Sequence, residues 1–203
     1  NEYVGALSLS SNGKRLAMCL IGTEKAGVYS RFVLYSVGKD KPSIDLRFQD
    51  AWLYRVSPIR GGWMVPGDQA IYLIRENGSY ETLSFGGHSL IFSDAEENGL
   101  SAVLLQDWNK NGSLLRVYSN KGALLQEVAL REQVSALRVE QGKVYLRLED
   151  ILLCRKPNGS FVQSQPLPTG SQEVFVRSNT IYALTVGSVE QLEAQWKDYV
   201  FTE

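Results

Sequence analysis

Along most of this chain apolar and polar residues alternate in short runs, each stopped by a turn, usually one with glycine. Alternation with period two is the signature of a β-strand that turns one face toward a core. The turns fall in two series. One is Asn12-Gly13, Gly61-Gly62, Asn98-Gly99, Gln141-Gly142 and Ser178-Asn179; the other is Val37-Gly38, Asn77-Gly78, Lys121-Gly122 and Asn158-Gly159. Each recurs at intervals of about forty residues, and a repeat of that length made of four short strands matches a β-propeller blade. Asn-Gly between two apolar runs predicts a tight hairpin with positive φ at both central residues.

Five such units can be laid out, and their third strands echo one another as FVLYS, AIYLIR, LLRVYS and ILLCRK. Units one and three lengthen the connection into that strand, at Gly22–Arg31 and Asp107–Ser113. Ala123–Glu140 is rich in helix formers, with Leu130, Val134 and Leu137 at helical spacing. The phase of the repeat instead predicts a strand, a corner at Arg131–Gln133 and another strand. The end of unit five, from Ser188 to Glu203, fits either a closing strand pair or a short helix with Val189, Leu192, Trp196 and Tyr199 on one face. The expected fold is all-β, a β-propeller-like array of about five four-stranded blades. The alternative is a fragment of a seven- or eight-bladed ring. Asp198–Thr202 is the segment expected to close a ring by pairing.

The chain has 203 residues, ample for one domain of this kind, with 44% hydrophobic and 21% charged residues. It carries 21 Lys and Arg against 22 Asp and Glu, so no nucleic-acid partner is expected. Two cysteines cannot build a disulfide framework. No apolar run is long enough to cross a bilayer. The chain starts Asn-Glu-Tyr without a leader pattern and reads as the C-terminal part of a longer protein.

The stretch LSSNGKRLAMCLIG followed by RFVLYSVG resembles the Ser-x-Asp-Gly-Lys-x-Leu-Ala turn-and-strand signature of WD40-like and quinoprotein-like bacterial propellers, with Asn12 in place of Asp. The order of units is similar to that of uncharacterised propeller-like domains of Gram-positive, Clostridia-type bacteria, which sit behind one N-terminal transmembrane helix. The resemblance implies a membrane-anchored, extracytoplasmic domain and supplies no catalytic residues.

Candidate chemistry is sparse. Asp107, Asn109, Asn111 and Gly112 match half of a calcium loop, but Leu115 and Tyr118 stand where its later ligands belong, so a plain hairpin is favoured. Asn77, Asn111 and Asn158 head Asn-Gly-Ser sequons at turns, where tight-turn chemistry explains them. Cys19 and Cys154 lie in apolar strands and read as buried free thiols. His88, the single histidine, follows Gly86-Gly87 at a channel-mouth position and reads as a surface or capping residue. The innermost strands GALSLS, YRVSP, SLIFS, SALRV and EVFVR contribute one acid, Glu173; Asp94, Glu96 and Glu97 read as a solvated turn. Trp63 reads as core. No catalytic, metal or cofactor site is expected.

These features point to a non-catalytic binding or scaffold domain with an unidentified protein or glycan partner. It would recognise that partner through loops carrying Glu24, Lys25, Trp108, Asn109 and Lys110, with His88 nearby. The rival readings are a carbohydrate-active hydrolase or lyase using Glu173 with Asp94, and a structural spacer or oligomerisation domain.

Overall fold

The computed structural model describes residues 2–25, 27–97, 99–107, 112–156, 162–177 and 180–199, with Asp107 described through its backbone. The described residues form five antiparallel sheets and no helix. Blade one is β1 (Glu2–Leu9), β2 (Arg15–Glu24), β3 (Gly27–Ser36) and β4 (Ile44–Gln49). Blade two is β5 (Ser57–Ile59), β6 (Gly62–Pro66), β7 (Ala70–Arg75) and β8 (Tyr80–Ser84). Blade three is β9 (Ser89–Ala95), β10 (Ser101–Asp107), β11 (Gly112–Tyr118) and β12 (Leu124–Leu130). Blade four is β13 (Ala136–Glu140), β14 (Lys143–Arg147), β15 (Ile151–Arg155) and β16 (Val162–Pro166). Blade five is β17 (Glu173–Arg177), β18 (Thr180–Thr185) and β19 (Ser188–Leu192).

Each blade is a simple meander, and the first strands β1, β5, β9, β13 and β17 neighbour one another in turn along the inner side of the array. Ala123–Glu140 is strand, corner and strand, because its leucines and valines fill a sheet seam rather than a helix face. Of the segment expected to close a ring, Asp198 pairs elsewhere and residues 200–202 lie outside the described residues. β20 (Lys197–Asp198) adds to the outer edge of blade four by pairing with Gln163 and Ser164, and Trp196 packs 6.1 Å from Tyr145. Among the described residues blade five therefore has three strands and blade four has five.

The hairpin turns also differ from expectation. Gly13 and Gly78 have φ of 67° and 84°, but Asn12 and Asn77 do not take positive φ. Their side chains act instead. Asn12 Oδ1 accepts the Lys14 N–H at 3.0 Å, and Asn77 Oδ1 accepts the Ser79 N–H at 3.0 Å. An Asx turn followed by one left-handed glycine replaces the doubly left-handed turn. Among the described turns of the two series, Gln141-Gly142 has positive φ at both centres, 51° and 67°.

Packing explains the burial pattern. In the middle blades successive residues serve opposite seams: Val103 and Leu105 enter the core between blades two and three, while Ala102 and Leu104 enter the one between blades three and four. Tyr145 and Val144 divide in the same way between the blade-four/five and blade-three/four cores. Among the described residues there are four such cores for five blades. Trp63 belongs to the first, 6.4 Å from Phe32. The cysteines are free and buried as expected, and burial pushes the Cys19 thiol up to about 12.

Among the described residues the outward faces of the end blades have no covering core. On blade one the rows Leu9–Leu16–Tyr35, Leu7–Met18 and Val4–Leu20 share one face by register, and Leu7 is 65% exposed. On blade five the rows Phe175–Tyr182 and Leu184–Val189 do the same, and Val189 is 65% exposed. Among the described residues neither of these two faces is covered by another sheet.

Candidate functional site

The inner strands of blades three to five, with the segment entering β5, wall an open cleft of about 660 Å³. Tyr54 and Arg55 come from blade two, Leu90, Ile91, Phe92 and Ser93 from β9, Leu137 and Arg138 from β13, and Glu173 and Val174 from β17. A second opening of about 600 Å³ adjoins it through Ser135 and Arg147, and is bordered by Glu132 and Glu149. Tyr54 and Ile91 are exposed on this inner wall. Inner strands that carry small or polar residues at the axis leave such a concavity between blades, a common place for a ligand.

The acids Asp94, Glu96 and Glu97 are structural. β9 runs through Ala95, so Asp94 lies inside an inner strand and is buried, not in a turn beyond it. Its Oδ1 accepts Arg55 Nη2 at 2.8 Å and its Oδ2 accepts the Val139 N–H at 2.8 Å, which ties blades two, three and four together. Glu96 accepts the backbone N–H groups of Gln141 and Gly142 at 3.2 and 3.0 Å. Glu97 accepts the Ser11 N–H at 2.8 Å, reaching blade one. The expected solvated cluster is thus a set of inter-blade ties, because orphan N–H groups of neighbouring turns point at it. Glu173 lines the cleft on β17, whereas Asp94 does not line it and has both oxygens engaged by Arg55 and the Val139 N–H.

The arginines of the cleft differ in their partners. Arg55 is held by Asp94 and by the Ser93 carbonyl. Arg147 donates both η nitrogens to the carbonyls of Ser171 and Gln172, and its Nε is buried without an acceptor. The side chain of Arg138, half-buried on β13, has neither ion pair nor hydrogen bond among the described residues. These residues were missed in the sequence. The arginines of YRVSP and SALRV, inside two predicted innermost strands, were the available signal.

Of the predicted contact residues, Glu24, Lys25 and His88 are not among the residues lining this cleft. Gly22–Arg31 is not a loop: β2 and β3 pair all the way to Glu24 and Gly27. The hairpin is braced, since Glu24 meets Arg47 at 2.7 Å and the Arg47 guanidinium lies 3.8 Å over the Tyr29 ring. Gly22 allows this, because a Cβ there would come within 2.4 Å of that ring. Lys25 is exposed at the tip. β10 and β11 likewise pair out to Asp107 and Gly112, and Trp108, Asn109 and Lys110 lie outside the described residues, as does Asn111 of the calcium half-motif. His88 Nδ1 sits 2.8 Å from the Phe85 carbonyl, folding back over the Gly86-Gly87 turn in the capping position. Second turns of a meander lie at the opposite end from first and third turns. The β2–β3 hairpin, the described ends of β10 and β11, and the Gly86–His88 connector therefore share one rim, and the Asn12-Gly13 and Asn77-Gly78 turns occupy the other.

No protein-family model and no curated protein sequence matches the chain. Solved structures do. The WD40 domain of Neurospora crassa Pan2 is similar with a TM-score of 0.58 and 15% identity, covering 89% of this chain and 55% of that one. BBS1N, solved in complex with ARL6DN, is similar at 0.58 and 13%, covering 94% and 77%. Virginiamycin B lyase from Staphylococcus aureus is similar at 0.53 and 12%, covering 96% and 74%. The fold is therefore an all-β propeller-like array. The chain spans about half the length of the Pan2 domain it matches.

Proposed function

We propose that this domain is a non-catalytic binding or scaffold module whose five blades belong to a wider ring. The observation that carries the binding role is the cleft itself: a concave inner wall with exposed Tyr54 and Ile91, next to acids that serve as ties between blades. BBS1N, a similar propeller solved in complex with ARL6DN, supports the reading by analogy of fold. The wider ring rests on the open end faces. Their exposed rows have the same aliphatic and aromatic make-up as the covered seams, so the occupant that fits is a further blade on each side. A bacterial, extracytoplasmic setting behind an upstream anchor follows from the family resemblance of the sequence.

Peptide and glycan arrays test the binding role. The expected result is a ligand whose retention falls at least tenfold in Tyr54→Ala, or when the two long hairpins are cut back. A chain that binds nothing on either array defeats the proposal. So does turnover of a glycan that disappears in Glu173→Gln, which establishes the hydrolase reading instead.

A further inference from the structure

We propose that the cleft binds a carboxylate carried on an apolar body, with Arg138 and Arg147 taking the charge and the Tyr54–Ile91 wall taking the body. This deepens the binding reading above and rests on it.

The charge pattern of the molecule supports the assignment. Arg15, Arg31, Arg47, Arg55, Arg75 and Arg116 each lie against a carboxylate. Arg138 and Arg147, on the paired strands β13 and β14 of blade four and both lining the cleft, do not among the described residues. Arg60, Arg131, Arg155 and Arg177 share that lack but do not line this cleft. The Ser171 and Gln172 carbonyls fix the Arg147 guanidinium in place without cancelling its charge. A held cation in a concave, partly apolar site projects a stronger field than one on a flat surface. Arginine also suits a carboxylate through its planar fork.

The competing charges have defined places. Asp94 neutralises Arg55, and Glu173 is exposed where β17 begins. Glu132 and Glu149 border the adjoining opening, so the end that favours an anion is the one at Arg138. The apolar half of the ligand follows from Tyr54 and Ile91, 51% and 37% exposed, with Leu90 and Phe92 in the same wall. Inorganic phosphate has nothing to place against that wall. A small aromatic or aliphatic acid and the C-terminal carboxylate of a peptide ending in an apolar residue both have the required chemistry.

Calorimetric titration with N-acetylphenylalanine, its uncharged primary amide, inorganic phosphate and a peptide ending in phenylalanine tests this. The acid is expected to bind at least tenfold more tightly than the amide. Arg138→Gln should erase that preference and Arg138→Lys should keep part of it, while phosphate should not compete. Tighter binding of the peptide than of the acid identifies a chain terminus as the source; equal binding identifies a small acid. Acid and amide binding alike, a preference that survives Arg138→Gln, or competition by phosphate overturns the proposal. If an array ligand binds and the acid does not, the carboxylate inference falls while the binding module stands. If nothing binds, both fall.

Discussion

The seam between blades three and four and the outward face of blade one are made from the same materials. Leu104, Leu115, Leu137 and Leu153 stack across the seam with almost no exposure. Val4, Leu7 and Leu9 line up just as regularly on the outward face, and all are exposed. Alternation marks a face that can be covered, and only the position of a blade in the stack decides whether it is. A stacked repeat gains stability at each shared interface, so end blades have one such interface where middle blades have two. Polar ties sharpen the contrast. The seam is crossed by Asp94 and Glu96, whereas the ion pairs of blade one's Arg31, with Glu2 and Asp45, stay within that blade.

The most direct way to break this comparison is a matched pair of truncations. Leu115→Ala should lower stability by about 2–5 kcal/mol, the cost of a cavity at a fully buried leucine. Leu7→Ala should stay within about 0.5 kcal/mol. Urea unfolding midpoints measure both, and similar losses would end the distinction between seam and open face. Asp94→Ala comes next, at about 1–3 kcal/mol, because it strands the Val139 N–H and the Arg55 guanidinium. Amide exchange should quicken at Val139 first.

Cys19 gives a smaller, pH-dependent effect within the first seam. Its thiol has a folded pKa of about 12 against an ordinary 9.0, so below pH 9 its contribution is fully present. As pH rises past 9 the unfolded chain releases the proton while the folded chain keeps it, and stability falls, by about 1 kcal/mol near pH 10. Cys19→Ala should flatten that decline between pH 8 and 10; an unchanged slope would count against a buried thiol. The smallest effect on folding belongs to the open faces. Leu7→Lys with Val189→Lys should leave the urea midpoint unchanged yet abolish self-association of the isolated chain, read by light scattering. If the unaltered chain is monomeric and binds no apolar dye, the end faces are not docking faces.

Much of the fold was legible. The Asn12-Gly13 and Asn77-Gly78 turns sit where the repeat placed them, although their asparagines work through side-chain acceptors rather than left-handed backbone. The repeat phase outweighed helix propensity at Ala123–Glu140, since tertiary burial of Leu130 and Leu137 exceeds any local preference. The site was much less legible. Asp94, Glu96 and Glu97 look like a solvated turn because their partners are 39 to 86 residues away, and a partner that is a backbone N–H has no letter in the sequence. The same holds for Arg147, whose anchors are carbonyl groups.

Strand alternation, turn positions and the forty-residue period are local properties, set by side-chain direction and backbone preference, and the sequence by itself determined them. Which faces are covered, which acids tie blades together and which arginines face the cleft were decided by the tertiary structure. Those outcomes depend on where whole sheets lie relative to one another. Rows such as Leu7–Met18 and Leu104–Leu115 are equivalent as strings of residues and differ through what stands opposite them.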